Sequence, residues 1–282
     1  MNNERIAVVT DSCSDLPSEV AQALNVTIIP LNVIFGEEIL KDGVEITSKE
    51  FYKRLAEAEN LPSTSQPTPQ EFEEVYRSLL ENFDKIISVH LSEKLSGTLA
   101  SASMAAKEFD DKVYVFDSES ISVGVAIQVE AAAQAIKKGL SFEQIKNYLI
   151  DVRESTHALF TLDTLEYLEK GGRIGKAESL LGSIFNIKPI IIVKEGIYQA
   201  FGKARSRKKA IKQLTNYFAK VSKDKKVKSL AIGHGLASED AQKLKKSLES
   251  VLGVEASMVS QVGPVIGAHT GPGALGASIR FK

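Results

Sequence analysis

A single cysteine, Cys13, occurs in the 282 residues. One thiol can form neither an internal disulfide nor a cysteine-cluster metal site, and such sparse use fits a reducing compartment. Long apolar runs are missing too, and none approaches the roughly 20 residues that a membrane helix needs. The opening Met1-Asn2-Asn3-Glu4-Arg5 lacks the apolar core of a signal peptide. The expected address is therefore the cytoplasm, with no transmembrane segment. An excess of either charge is absent as well: 35 Lys and Arg face 36 Asp and Glu, for a net charge of −1. No overall field recruits a polyanion, so nucleic acid is not an expected partner. Catalytic signatures are scarce, with no Walker lysine motif, G-x-S-x-G elbow or H-E-x-x-H pair. Gly271-Pro272-Gly273-Ala274-Leu275-Gly276 matches the letters of a dinucleotide fingerprint. That motif needs a helix after it and an acidic residue about 20 positions on, and neither has room before Lys282. No metal or cofactor is expected.

What is present is ordinary globular composition, 43% hydrophobic and 25% charged. Ile6-Ala7-Val8-Val9-Thr10 reads as a buried strand, and Asp11 to Asp15 supplies turn and cap residues before a helix begins at Pro17. The same strand, loop and helix pattern returns at Lys85 to His90, followed by a small-residue helix from about Thr98 to Phe109, and a further strand at Val113 to Phe116. Such alternation predicts right-handed crossovers and a mostly parallel sheet flanked by helices through about residue 155. Leu31 to Asp42 reads as a hairpin around Phe35-Gly36-Glu37, and Leu61 to Pro69 as a loop whose three prolines forbid a helix.

From His157 the texture changes. Strands are expected at Ala158 to Leu162, Ile190 to Lys194 and Ser229 to Ile232, and helices at Lys208 to Ser222 and Glu239 to Leu252. The fold class is α/β with two domains: residues 1–155, carrying loops with Thr64 and Ser96, and a smaller α/β domain, 156–282, carrying Arg173, Arg205 and His269.

Ser96-Gly97-Thr98 falls between a strand and a helix, where free N–H groups and the helix dipole favour an anion. Ser96 reads equally as a plain helix cap. Thr64 and Ser65 occupy a stiff, proline-bounded segment that is either a turn or a pair of hydroxyls held at low entropic cost. His269, in Gly267 to Gly273, has few steric neighbours from its own segment and reads as a ligand contact or a structural histidine. His90, His157 and His234 stand in or beside strands, where the structural role is the simpler one. Arg173, after Gly171-Gly172, and the cluster Lys203, Arg205, Arg207, Lys208 and Lys209 are either a solvated helix start or a docking patch for an acidic partner.

Taken in order, Val9-Thr10-Asp11-Ser12, Thr64-Ser65-Gln66-Pro67, Ser96-Gly97-Thr98, Gly172-Arg173-Ile174 and His269-Thr270-Gly271-Pro272-Gly273 resemble the DegV family over essentially the whole chain. The resemblance implies a bacterial lipid-binding protein, with two α/β domains and the acyl chain buried inside. It implies a long-chain fatty acid of the C16 to C18 class, such as palmitate, as ligand, with Thr64 and Ser96 on its carboxylate and His269 completing the polar network. It also implies a carrier subunit of fatty acid kinase rather than an enzyme. A separate ATP-binding subunit, contacted through Arg173 and Arg205, would make the acyl phosphate for phospholipid synthesis. Cys13 departs from the serine- and threonine-rich first loop usual in that family. The rival reading is an acyl- or phosphoryl-transfer enzyme in which Ser96 or His269 itself reacts.

Overall fold

The computed structural model describes residues 4–181 and 187–281. Met1-Asn2-Asn3 and Lys282, on which the readings of the two chain ends partly rest, lie outside them. In chain order the first half comprises β1 (Ile6–Asp11), α1 (Ser18–Leu24), β2 (Val26–Ile29), β3 (Asn32–Phe35), β4 (Glu38–Lys41), α2 (Ser48–Glu57), β5 (Ser63–Ser65), α3 (Pro69–Leu80), β6 (Lys85–His90), α4 (Thr98–Ala106), β7 (Val113–Asp117), α5 (Val123–Lys137) and α6 (Phe142–Glu154). The second half comprises β8 (Thr156–Thr161), α7 (Glu166–Lys170), β9 (Lys188–Lys194), β10 (Ile197–Ala204), α8 (Arg207–Val221), β11 (Val227–His234), α9 (Ser238–Leu252), β12 (Met258–Gln261), α10 (Pro264–Thr270) and β13 (Leu275–Phe281).

β1 and β6 are buried on both faces and pair in parallel at the centre of a four-stranded sheet, ordered β2-β1-β6-β7. Both faces of such a sheet must be covered. Helices α3 and α4 take one face through Phe72, Tyr76, Ala102 and Ala105. Capping boxes at Thr47 with Glu50, Thr68 with Glu71 and Ser141 with Gln144 start α2, α3 and α6 where the sequence turns periodic.

The other face receives α5. Eleven of its 15 residues are buried, because it packs on β1 and β6 on one side and on β8, β11 and β13 on the other. A helix buried all round carries no amphipathic stripe. Its Ala131, Ala132, Ala133 and Ala135 let both sheets approach closely, and one apolar core runs from Ile6 and Val89 through α5 to Ile191 and Ala231.

The second sheet has six strands, ordered β10-β9-β8-β13-β11-β12, antiparallel except for β11 with β12. β10 and β12 were not foreseen from the sequence. In β10, Phe201 and the partly charged run Gln199 to Lys203 mark an edge strand with little apolar alternation. Two expectations are corrected. Thr64 is not in a loop: Ser63–Ser65 is a strand paired with β3, with Thr64 opposite Val33, in a small sheet ordered β4-β3-β5. The prolines flank that strand rather than forming the turn itself. His269 is not on an open glycine-rich segment either, but in the last turn of α10, which starts with Pro264 in the first turn, where a fixed φ is an advantage. After α10 the chain enters β13, so Gly271 to Gly276 leads into a strand and not a helix.

Candidate functional site

Helix α10 crosses from the second sheet to lie against α2, α7, β3 and β5. That crossing carries His269 to the short strand β5, where its Nε2 lies 2.8 Å from Thr64 Oγ1. Asn32 of β3 steadies the same strand by donating to Ser65 Oγ at 2.9 Å. The other imidazole nitrogen, Nδ1, is buried with no hydrogen-bond partner and packs against Gly171, where a methyl group would come within 2.4 Å of it. Burial first, and the nearby Arg173 charge second, lower the His269 pKa to about 4. The ring is therefore neutral near pH 7, able to accept or donate but not to serve as a fixed cation.

Ser96 sits in the loop from β6 to α4. Its hydroxyl lies 2.9 Å from Thr98 Oγ1 and accepts the Thr98 backbone N–H at 3.3 Å. The N-cap of α4 is Gly97, with no side-chain cap bond, so Ser96 is not the helix cap but a turn residue one position before it that lines the cavity. Gly97 leaves room for the Gln66 amide, which would lie 2.8 Å from an added methyl. Arg173 is exposed on one side but folded back, donating from Nη1 to the Gly171 carbonyl at 2.9 Å and from Nε to the Leu95 carbonyl at 3.4 Å.

These groups line one partly open pocket, whose empty space, mouth included, is about 470 Å³. Thr64, Ser96, Arg173 and His269 all line it, with Gln66, Cys13 and Tyr198. Arg205 does not: it is exposed between β10 and α8. The basic cluster around it is also less free than expected. Arg207 pairs with Asp163 at 2.8 Å and with Asp240 at 3.3 Å, and it donates to the Gly273 carbonyl. Part of the expected docking patch is therefore consumed in tying α8 to α9 and to the turn before β13.

Ile121, Tyr198 and Ile266 are shared with a second cavity of about 480 Å³, whose walls are almost wholly apolar: Leu159, Phe160, Val193, Leu275 and Ala277 among them. It lies between the two sheets beside the start of α5. A pocket that carries hydroxyls, an imidazole and a guanidinium thus shares a wall with an almost wholly apolar one. Tyr198 at this junction was missed because β10 was missed.

Beneath the site is a buried carboxylate pair that no motif announced. Asp15 accepts from the Gly263 N–H at 2.7 Å and from the Ser122 hydroxyl, and Asp42 accepts from Ser12 Oγ at 3.0 Å and the Val265 N–H at 3.3 Å. Both therefore hold the start of α10. Burial raises Asp15 to about 7 and Asp42 to about 6, against the lowering effect of those hydrogen bonds. Burial first, and the charges of Asp11, Asp42 and Asp15 after it, push the Cys13 thiol well up, so it stands in the cavity wall as a small apolar group. His90 is buried between Asp11 at 2.8 Å and Ser88 at 2.7 Å, His157 contacts Tyr217 at 3.1 Å, and His234 accepts from the Ala237 N–H. All three have structural partners. Among the described residues no cluster of three His, Cys, Asp or Glu could hold a metal, and no helix is long and apolar enough to cross a membrane.

Residues 5–282 match the family model described as an uncharacterised protein, DegV family. A DegV domain-containing protein of Deinococcus radiodurans is 36% identical over 97% of this chain and 98% of its own. Among solved structures, a fatty-acid-binding DegV family protein from Thermus thermophilus is 38% identical, with a TM-score of 0.94 over 99% of this chain and 100% of the other. DegV of Bacillus subtilis, described as a fatty acid binding protein, is 36% identical with a TM-score of 0.90 over 99% and 100%. A stearic-acid-binding protein from Eubacterium ventriosum is 31% identical with a TM-score of 0.89 over 98% of each chain.

Proposed function

Because this chain belongs to the DegV family, we propose that it binds a long-chain fatty acid of the C16 to C18 class, its carboxylate on Thr64 and Ser96 and its tail in the apolar cavity. The observation that carries this reading is the adjacency of the two cavities, which share Ile121, Tyr198 and Ile266 in their walls. Hydroxyls, a neutral imidazole and a rim arginine stand on one side of those shared residues, and an apolar chamber stands on the other. An amphiphile with one anionic end matches this division. The comparison proteins described as fatty acid binding support it.

Magnitudes assign the two ends different tasks. Burying about 14 methylenes at roughly 0.8 kcal/mol each gives on the order of 11 kcal/mol before the costs of association. Hydrogen bonds to a charged carboxylate contribute about 1.5 to 3 kcal/mol apiece. The tail supplies most of the affinity. The polar groups fix where the carboxylate sits and offset the cost of burying its charge.

Residues 1–155 would supply Thr64 and Ser96, and residues 156–282 would supply His269, Arg173 and Arg205. In this reading the protein is a cytoplasmic carrier that presents the carboxylate to a separate fatty acid kinase subunit, with Arg173 and Arg205 facing that partner. Mass spectrometry of a denatured extract of the purified protein tests the central claim. A co-purified C16 to C18 acid that exchanges with added palmitate is the expected result. Absence of lipid, together with no binding of added fatty acid, would overturn it.

A further inference from the structure

Beyond the apolar chamber lies a third cavity, a groove of about 1200 Å³ between the end of β7, helix α6 and strands β8 and β9. Ala158 and Val193, directly opposite one another in β8 and β9, line both the chamber and the groove. The order of spaces is therefore polar pocket, apolar chamber, polar groove, each sharing wall residues with the next. The groove carries hydroxyls from Ser118, Ser120 and Tyr217, and it contains an unusual side chain. Gln128 of α5 is 0% exposed. Its Nε2 is committed to the Ser118 carbonyl at 2.9 Å and the Gly124 carbonyl at 3.3 Å, which fixes the amide orientation, while its Oε1 has no partner. A buried acceptor left unpaired is costly and marks a place where a donor belongs.

We propose that the far end of the bound chain reaches this groove, and that the protein accepts long-chain acids bearing a terminal hydroxyl, which donates to Gln128 Oε1. The inference rests on the fatty-acid reading above and extends it to a ligand class. The donor requirement excludes a terminal carboxylate, which is acceptor-only. Charge points the same way: Glu119, Glu154 and Glu195 line the groove against Arg153 and Lys194, and Arg153 is already paired with Glu119 at 3.4 Å.

Competition binding on the full chain tests this with three probes: hexadecanoate, ω-hydroxyhexadecanoate and hexadecanedioate. The expected order places the hydroxy acid within about threefold of the plain acid and the diacid at least about tenfold weaker, since one hydrogen bond is worth up to about tenfold. In Gln128→Met the hydroxy acid loses about tenfold while hexadecanoate is unchanged. A second readout is independent of that variant. In Lys194→Cys, hexadecanoate with an ω-pyridyl disulfide should exchange with the new thiol, displacing pyridinethione, and peptide mapping should find the adduct at position 194 and not on buried Cys13. The proposal is overturned if the plain acid binds but the hydroxy acid is rejected by about a hundredfold, or if the adduct forms on Cys13 or not at all. Failure of every probe to bind would sink the fatty-acid reading along with it.

Discussion

Thr64 and His269 are 205 positions apart in the chain, yet their Oγ1 and Nε2 atoms lie 2.8 Å apart. The contact joins a three-residue strand of the first half to a seven-residue helix of the second. It is made in the cavity wall, so a carboxylate held there as proposed would compete with the protein for the same two polar atoms. Replacing Thr64 by Val keeps the shape and removes the hydroxyl, leaving the imidazole without its one partner. We expect fatty acid affinity to fall about tenfold to a hundredfold, for a loss of about 1.5 to 3 kcal/mol. Isothermal titration with palmitate measures it, and an affinity within a factor of about two of wild type would remove Thr64 from the site.

Gly171 gives a sharper geometric test. A methyl group there would sit 2.4 Å from His269 Nδ1 and 2.8 Å from the Tyr167 carbonyl, inside contact distance of both. The φ of Gly171 is −77°, so alanine fits the backbone and the clash is with neighbours alone. Gly171→Ala should therefore displace the imidazole from Thr64 without unfolding the chain. The expected outcome is weakened binding comparable to Thr64→Val, with no further loss when the two changes are combined. Additive losses in that double-mutant cycle would show that Gly171 does not act through His269.

How much of this was readable beforehand differs by element. The parallel sheet was legible because β1 and β6 carry clustered Ile and Val residues followed by polar loops and helices. Ser96 was legible from its place between strand and helix, since that position has a chemistry of its own. The junction residue Tyr198 was not, because β10 has the exposed, partly charged pattern of an edge strand. Thr64 could be found but its partner could not: local pattern says nothing about contacts between residues so far apart. Asp15 looked like a turn residue and Asp42 like the end of a hairpin, and only burial distinguishes a capping carboxylate from a solvated one.

That pair governs a pH response. The folded pKa of Asp15, about 7, lies above the ordinary 3.8, so between those values the native state holds more protons than the unfolded chain. Stability then falls as pH rises through this window and levels off above it. Asn at position 15 can still accept from Gly263 N–H while carrying no charge. Urea unfolding from pH 5 to 8 should show wild type losing stability relative to Asp15→Asn, by on the order of a few kcal/mol across the range. Parallel curves for the two proteins would mean that Asp15 titrates normally. His269 adds the opposite trend at lower pH, because its pKa of about 4 makes charging costly below the unfolded value of 6.5.

The two arginines set apart for a protein partner should separate in their effects. Arg173 lines the polar cavity and holds the Gly171 and Leu95 carbonyls, whereas Arg205 is exposed and does not line it. Charge reversal at Arg173 places a carboxylate beside the bound carboxylate, and we expect a loss of fatty acid affinity of about tenfold or more. Reversal at Arg205 should leave affinity unchanged, since an exposed charge away from the cavity is largely screened. If a kinase subunit docks through both residues, acyl-phosphate formation with that subunit should slow in each variant. For Arg205→Glu the slowing should appear at saturating lipid and diminish as the kinase concentration is raised, the signature of a weakened association. Unaltered turnover in Arg205→Glu at limiting kinase would leave Arg205 without a docking role. Equal lipid affinities in both variants would place Arg173 outside the head-group site.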